Sequence, residues 1–334
     1  MPELNRNDGP QPPQALEPAE PAAAATDSRL LVAAVYHFAS LRQLPQLQRQ
    51  LAELAAPLQV RGTILLAAEG VNGTISGPEP AVLELLALLQ RERGLEALEA
   101  RFSWAALQPV QRLKVRLKRE IVTLGQPEVR PYLATAVGTH VPPEQWDALI
   151  ADPDTLLIDT RNTYEVAIGT FAGAIDPGTA SFRDFPAWVE RELGPLVAER
   201  QPRAIALFCT GGIRCEKATA YLQQQGFAGV HHLEGGILRY LEERPEAGSS
   251  WRGECFVFDQ RVALNHRLEP GEHSLCHACG LPLSPADCQE ASYELGVSCR
   301  HCIERFSDGD RARFRERQRQ MQQAGQRGER HIGG

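Results

Sequence analysis

Two cysteines six positions apart, Cys209 and Cys215, lie in the stretch FCTGGIRCEKA (Phe208 to Ala218), which directly follows the apolar run Ala204 to Phe208. A cysteine that ends a buried strand and opens a tight turn into a helix sits where backbone N–H groups converge. The helix dipole is positive there, and both effects favour the thiolate. Gly211 and Gly212 let the backbone turn its N–H groups inward without Cβ clashes, and Arg214 adds a fixed positive charge. Cys209 is therefore the expected nucleophile, with Gly211, Gly212 and Arg214 as loop and oxyanion support. Cys215, at the start of the helix, either resolves an oxidised Cys209 or simply packs. Four residues, Thr210 to Ile213, separate Cys209 from Arg214, one fewer than in the loop of cysteine phosphatases. The cradle is small for a phosphoryl group, which disfavours phosphatase chemistry.

A second constellation lies nearer the C-terminus. Cys276-His-Ala-Cys279 and Cys299-Arg-His-Cys302 are two CxxC knuckles separated by 19 residues, Gly280 to Ser298, a spacing that zinc ribbons use. Four thiolates on two short turns would give a segment poor in large apolar residues the cross-link its core cannot supply. Because four cysteines leave no open coordination position, the expected Zn²⁺ is structural and not catalytic. His277, His301, Cys288 and Cys255 are alternative ligands, although Cys255 reads as a core residue of the strand CFVF.

A third pattern is electrostatic. In RLKVRLK the residues alternate with period two: Leu113, Val115 and Leu117 on one face, Arg112, Lys114, Arg116 and Lys118 on the other. This is either an edge strand guarded by charge against aggregation or a rim that contacts phosphates. The arginine-rich run beyond Asp310 reads as a solvated helix or tail that could also touch RNA.

The surrounding pattern predicts the elements that hold these groups. Leu30 to Phe38 is an apolar strand, and leucines at 44, 47, 51, 54 and 58 mark a helix. Two strand runs flank a Glu69-Gly70 turn, Pro80 to Leu89 is helical, and Phe102 to Leu107 is a short strand. The order βαββαβ is that of a ferredoxin-like domain. From Val141, short buried strands ending at Asp159 and at Cys209 alternate with helices, an α/β pattern with a mainly parallel sheet whose functional residues belong at strand carboxyl ends. The expected division is a disordered tail over 1–28, a ferredoxin-like (acylphosphatase-like) domain over 29–130, and the α/β domain over 131–246. A cysteine-rich segment over 247–308 and a polar tail over 309–334 complete it.

The 334-residue chain has a formal net charge of −7, so no global basic field recruits nucleic acid and any such role rests on local patches. The first 28 residues have no basic start and no apolar core of a signal peptide, and no apolar run approaches the roughly 18 residues of a membrane span. A soluble, cytoplasmic protein is expected. In that reducing compartment eight cysteines point to metal binding or catalysis before disulfides.

The residues also carry a family resemblance. From about Val141 to Glu243 the chain resembles a rhodanese domain, through Asp159-Thr-Arg161, Glu165, Gly169 to Ile175, the CTGGIR loop and Leu233-Glu-Gly-Gly-Ile237. With RGTILLAAEGVNGTISG upstream and GECFVFDQRV downstream, the stretch from Leu30 to Cys302 is similar to the oxygen-dependent tRNA uridine hydroxylases, the TrhO family. The resemblance implies hydroxylation of the wobble uridine of certain tRNAs to 5-hydroxyuridine, O₂ as co-substrate and tRNA as partner. Cys209 matches the family's essential cysteine. The rival reading is a sulfurtransferase carrying a persulfide on Cys209, since one thiolate loop serves both. No flavin, haem or nicotinamide motif is visible, and the sequence names no electron donor.

Overall fold

The computed structural model describes residues 29–133 and 137–327; the expected disordered tail over 1–28 lies outside the described residues. The first domain begins with β1 (Leu30–Phe38), α1 (Leu44–Ala55), β2 (Arg61–Ala67), β3 (Gly70–Gly77), α2 (Glu79–Gln90) and β4 (Ala100–Ala105), in the order βαββαβ. The 3.6-residue stripe turns Leu47, Leu51 and Ala55 of α1 inward, and α2 buries Val82, Leu85, Leu86 and Leu89. Both helices cover one sheet face, which contributes Ile64, Leu66, Val71 and Ile75 to the shared core.

The sheet order is β4-β1-β3-β2-β5, with β5 (Leu113–Leu117) an edge strand parallel to β2. Register fixes what lies on the face away from the helices. One row runs Arg101, Ala34, Thr74, Thr63, Lys114 across the five strands, and a neighbouring row runs Tyr36, Asn72, Leu65, Arg116. Arg112, Lys114, Arg116 and Lys118 are all exposed. Leu113 and Val115 are half-buried against the core, whereas Leu117, at the end of the edge strand, is 40% exposed.

The second domain has a parallel four-stranded sheet in the order β6-β10-β9-β7. Its strands are β6 (Thr139–Val141), β7 (Thr155–Asp159), β9 (Ala204–Phe208) and β10 (Val230–Leu233), with β8 (Gly169–Phe171) set apart from it. Every residue of β9 is buried, as expected of a strand covered on both faces. On one side α3 (Pro143–Ile150) and the residues around Ile237 and Tyr240 pack with Trp146 and Phe208. On the other lie α7 (Ile213–Gln224) and the broken helical stretch from Phe182 to Arg200. Leu124 and Val129, assigned from sequence to the first domain, pack instead in this second core.

The remaining chain is built of short pairings. β11 (Trp251–Gly253) pairs with β8, and β12 (Cys255–Phe256) pairs with β13 (Ala263–Leu264). The arginine-rich run is a helix over Asp308–Gln326, opened by a Ser307–Asp310 capping box. It is not a free tail. Arg315 pairs with Glu294 at 2.5 Å, Arg311 donates to the Ile303 carbonyl at 2.7 Å, and Arg317 donates to the His277 carbonyl at 2.8 Å.

Candidate active site

Cys209 is the first residue after β9, and α7 opens at Ile213, two residues before Cys215, the start expected from sequence. Strand end and helix start thus converge on one sulfur. The Gly212 N–H points at Cys209 Sγ at 3.1 Å. Burial pushes this thiol up, but the neighbouring Cys215 thiol, the Arg214 charge and the backbone N–H groups of Cys215 and Arg214 outweigh it and bring it down to about 5. Cys209 is thus a thiolate at neutral pH. Cys215, fully buried, is pushed up by burial and by that thiolate.

The two loop glycines differ. Gly212 has φ 100°, in the region that favours glycine, and a Cβ there would meet Tyr36 Oη at 2.6 Å. At Gly211 a Cβ would meet nothing within 4 Å; its bareness leaves open space at the cavity wall. Arg214 is committed more tightly than the sequence suggested. Its guanidinium forks onto Glu165 at 2.7 and 2.8 Å and reaches Thr210 Oγ1 at 3.2 Å. Glu165 is fully buried; burial pushes its carboxyl up and Arg214 more than offsets it, so the net direction is down. Behind them Arg161 and Asp159, both 0% exposed, pair at 2.6 Å.

Cys209, Thr210, Gly211 and Arg214 border a cavity of about 950 Å³. Its opposite wall is the open sheet face of the first domain, with Tyr36, Asn72, Thr74 and Arg101, and Phe258 stands at its margin, 67% exposed. Cys209 itself presents no surface to solvent. The two domains are held around the cavity by Lys217, which is 0% exposed and bridges Glu69 at 2.8 Å and Glu120 at 2.6 Å. Sequence reasoning passed over this bridge: Glu69 registered only as a turn residue, and nothing local links it to a lysine 148 positions away.

A further group on the cavity was also missed. Glu216, on the first turn of α7, accepts from His140 Nε2 at 2.8 Å, and His232 lies at 3.7 Å. Burial pushes the Glu216 carboxyl up, but the bond from His140 and the neighbouring His232 ring bring it down to about 2. Both histidines sit in unremarkable strand contexts, so only the tertiary fold reveals the cluster.

The four knuckle cysteines do meet. Their sulfurs lie 3.9 Å (Cys276–Cys302), 3.7 Å (Cys279–Cys299) and 3.6 Å (Cys299–Cys302) apart, all within 4.8 Å of one another. Such a cluster can hold a metal ion. Cys255 lies in the second domain's core, and Cys288 contacts Ser274 Oγ at 3.7 Å. The basic residues of β5 are not on the cavity wall, but Lys114 and Arg116 share its sheet face through their register with Thr63 and Leu65.

A thiolate loop at the carboxyl edge of a parallel sheet, roofed by an acylphosphatase-like sheet, defines a rhodanese-type cysteine enzyme with an added domain. Family models agree: residues 30–121 match the UPF0176 acylphosphatase like domain and residues 142–243 the Rhodanese-like domain. A tRNA uridine(34) hydroxylase of Parasynechococcus marenigrum (strain WH8102) is 60% identical, covering 89% of this chain and 94% of that protein. Proteins of the same name from Synechococcus sp. (strain CC9605), 59% identical over 90% and 93%, and Agrobacterium fabrum, 53% identical over 91% and 95%, are similar along comparable lengths. The chain belongs to the tRNA uridine(34) hydroxylase family.

Proposed function

We propose that the protein hydroxylates C5 of the wobble uridine of tRNA, with O₂ as oxidant and Cys209 as nucleophile. The observation that carries this reading is a thiolate loop facing, across a cavity, the open face of a second domain's sheet. A flipped-out base needs such an enclosed pocket. The Cys209 thiolate adds to C6 of uracil, and the electron pair moves to C5 and the O4 enolate. C5 takes one oxygen atom from O₂; the other leaves as water, drawing two electrons and two protons from an external donor. Loss of the C5 proton and expulsion of the thiolate restore the ring. Loop N–H groups are the donors for the developing enolate oxygen, while Arg214, held by Glu165, acts by fixing loop geometry and charge.

The RNA strand would follow the first domain's sheet, as single strands follow open sheets elsewhere. From Arg101 on β4 to Lys114 on β5 is four strand spacings, roughly 19 Å. Arg112, Lys114, Arg116 and Lys118 would contact phosphates at the far edge. The four-cysteine cluster is proposed to bind structural Zn²⁺: sulfur separations of 3.6 to 3.9 Å match the edge of about 3.8 Å of a tetrahedron with Zn–S bonds of about 2.3 Å.

The test is mass spectrometry of tRNA nucleosides from cells lacking the gene and carrying either the native chain or Cys209→Ser, grown under ¹⁸O₂. Labelled 5-hydroxyuridine is expected with the native chain only. Unlabelled product would remove O₂ as oxygen source, and undiminished product with Cys209→Ser would remove the nucleophile. Transfer of sulfur from thiosulfate to cyanide by the purified chain measures the persulfide alternative directly.

A further inference from the structure

We propose that His140, Glu216 and His232 form a second metal site, for a divalent first-row transition ion, on the wall of the cavity that holds Cys209. The site follows from geometry and is independent of the uridine reading. Three elements of the second domain bring the ligands together: β6 carries His140, β10 carries His232 and the first turn of α7 carries Glu216. The strands are neighbours in register, His232 opposite His140, and the two rings meet edge to face at 4.1 Å.

The hydrogen bonds around His232 are met with Nε2 left free. The Thr219 hydroxyl donates its one proton to the Glu216 carbonyl at 3.3 Å and accepts from the Gly138 N–H at 3.0 Å. With that proton on the Glu216 carbonyl, the 3.4 Å contact with His232 Nδ1 has Nδ1–H as the donor. In that tautomer the lone pair is on Nε2. That atom is buried without a hydrogen-bond partner, in a side chain 1% exposed, and it lies 3.7 Å from Glu216 Oε1, beyond hydrogen-bond reach. A lone pair facing a carboxylate oxygen in a buried setting is unfavourable, and a cation between them relieves it.

The dimensions fit. With metal–ligand bonds of about 2.1 Å, adjacent ligand atoms lie roughly 3.0 Å apart in an octahedral site and roughly 3.4 Å in a tetrahedral one. The spacings of 2.8 Å (His140 to Glu216) and 3.7 Å (His232 to Glu216) bracket these values. Two imidazoles and one carboxylate suit iron, manganese or cobalt better than calcium or magnesium, and three protein ligands leave positions open. Those positions face the cavity, since His140 and Glu216 both border it. Thr219, orienting His232 from behind, is the outer partner that ligating histidines ordinarily have.

The experiment uses the full chain with its four-cysteine cluster saturated with zinc beforehand, titrated with Co²⁺. One bound equivalent is expected, with weak visible bands and no thiolate-to-cobalt charge transfer. His140→Ala and Glu216→Gln should each weaken this binding by roughly tenfold or more. The His140 side chain is 42% exposed, so its variant should fold normally, which circular dichroism checks. Absence of the extra equivalent, charge-transfer bands showing cobalt only on sulfur, or unchanged affinity in either variant would overturn the proposal.

Discussion

If Cys209 is a thiolate because the folded loop makes it one, the fold must gain stability from that ionisation. The replacement Cys209→Ser removes the titrating group while nearly keeping its volume. Folding moves this thiol from an ordinary value of 9.0 down to about 5, so the folded state holds the proton less tightly than the unfolded chain. The resulting stabilisation is complete above about pH 9 and is lost as pH falls through about 5. Between these limits the slope is about 1.4 kcal/mol per pH unit. The stability difference between the native chain and Cys209→Ser should therefore widen by roughly 2–3 kcal/mol from pH 6 to pH 8. Cys215 adds little in this window, because burial, the largest influence on it, pushes it up with or without the Cys209 thiolate. Urea unfolding of both proteins at several pH values, followed by tryptophan fluorescence, reads the difference, and thiolate ultraviolet absorbance of native minus variant gives the titration midpoint. Parallel stability curves, or a midpoint near pH 9, would refute the electrostatic account of the loop.

Removing Arg214 alone as Arg214→Met strands the fully buried Glu165 and should cost about 3–5 kcal/mol, much of it regained in Arg214→Met with Glu165→Leu; thermal unfolding of both decides whether the pair is a coupled unit. Cys276→Ser or Cys302→Ser should lower bound zinc from about one per chain and lower the unfolding temperature together, as elemental analysis with calorimetry would record; full stability without metal would contradict a structural ion. Changing Lys114, Arg116 and Lys118 together to Ser should weaken tRNA binding and reduce its salt slope by about one unit for each phosphate no longer neutralised, without changing which tRNAs are preferred. Titrations at several salt concentrations test this, and an unchanged slope would leave the strand a guarded edge.

The elements were legible wherever one face of local sequence reports burial. The leucine stripe of α1, the all-buried run of β9 and the turn from Cys209 into α7 each obey a short-range rule, and the structure has them within a few residues of their expected bounds. The knuckle cysteines were legible for a different reason: ligands three positions apart on tight turns are a local signal that needs only a second copy. Groups that act across the domain boundary were not legible. Lys217 lies inside the most distinctive stretch of the chain, yet its partners Glu69 and Glu120 sit in the other domain, 148 and 97 positions away. A buried lysine between two carboxylates is stable only when both are present, so these three residues tie the orientation of the first sheet to the first turns of α7. The same helix presents Arg214 to Glu165 and Glu216 to His140, two positions apart in its first turn. One short helix thus fixes the thiolate, the domain joint and the histidine cluster at once. A change at any of the three should be felt at the other two through the position of α7, and that mutual dependence is what a reading of local sequence windows has no means to detect.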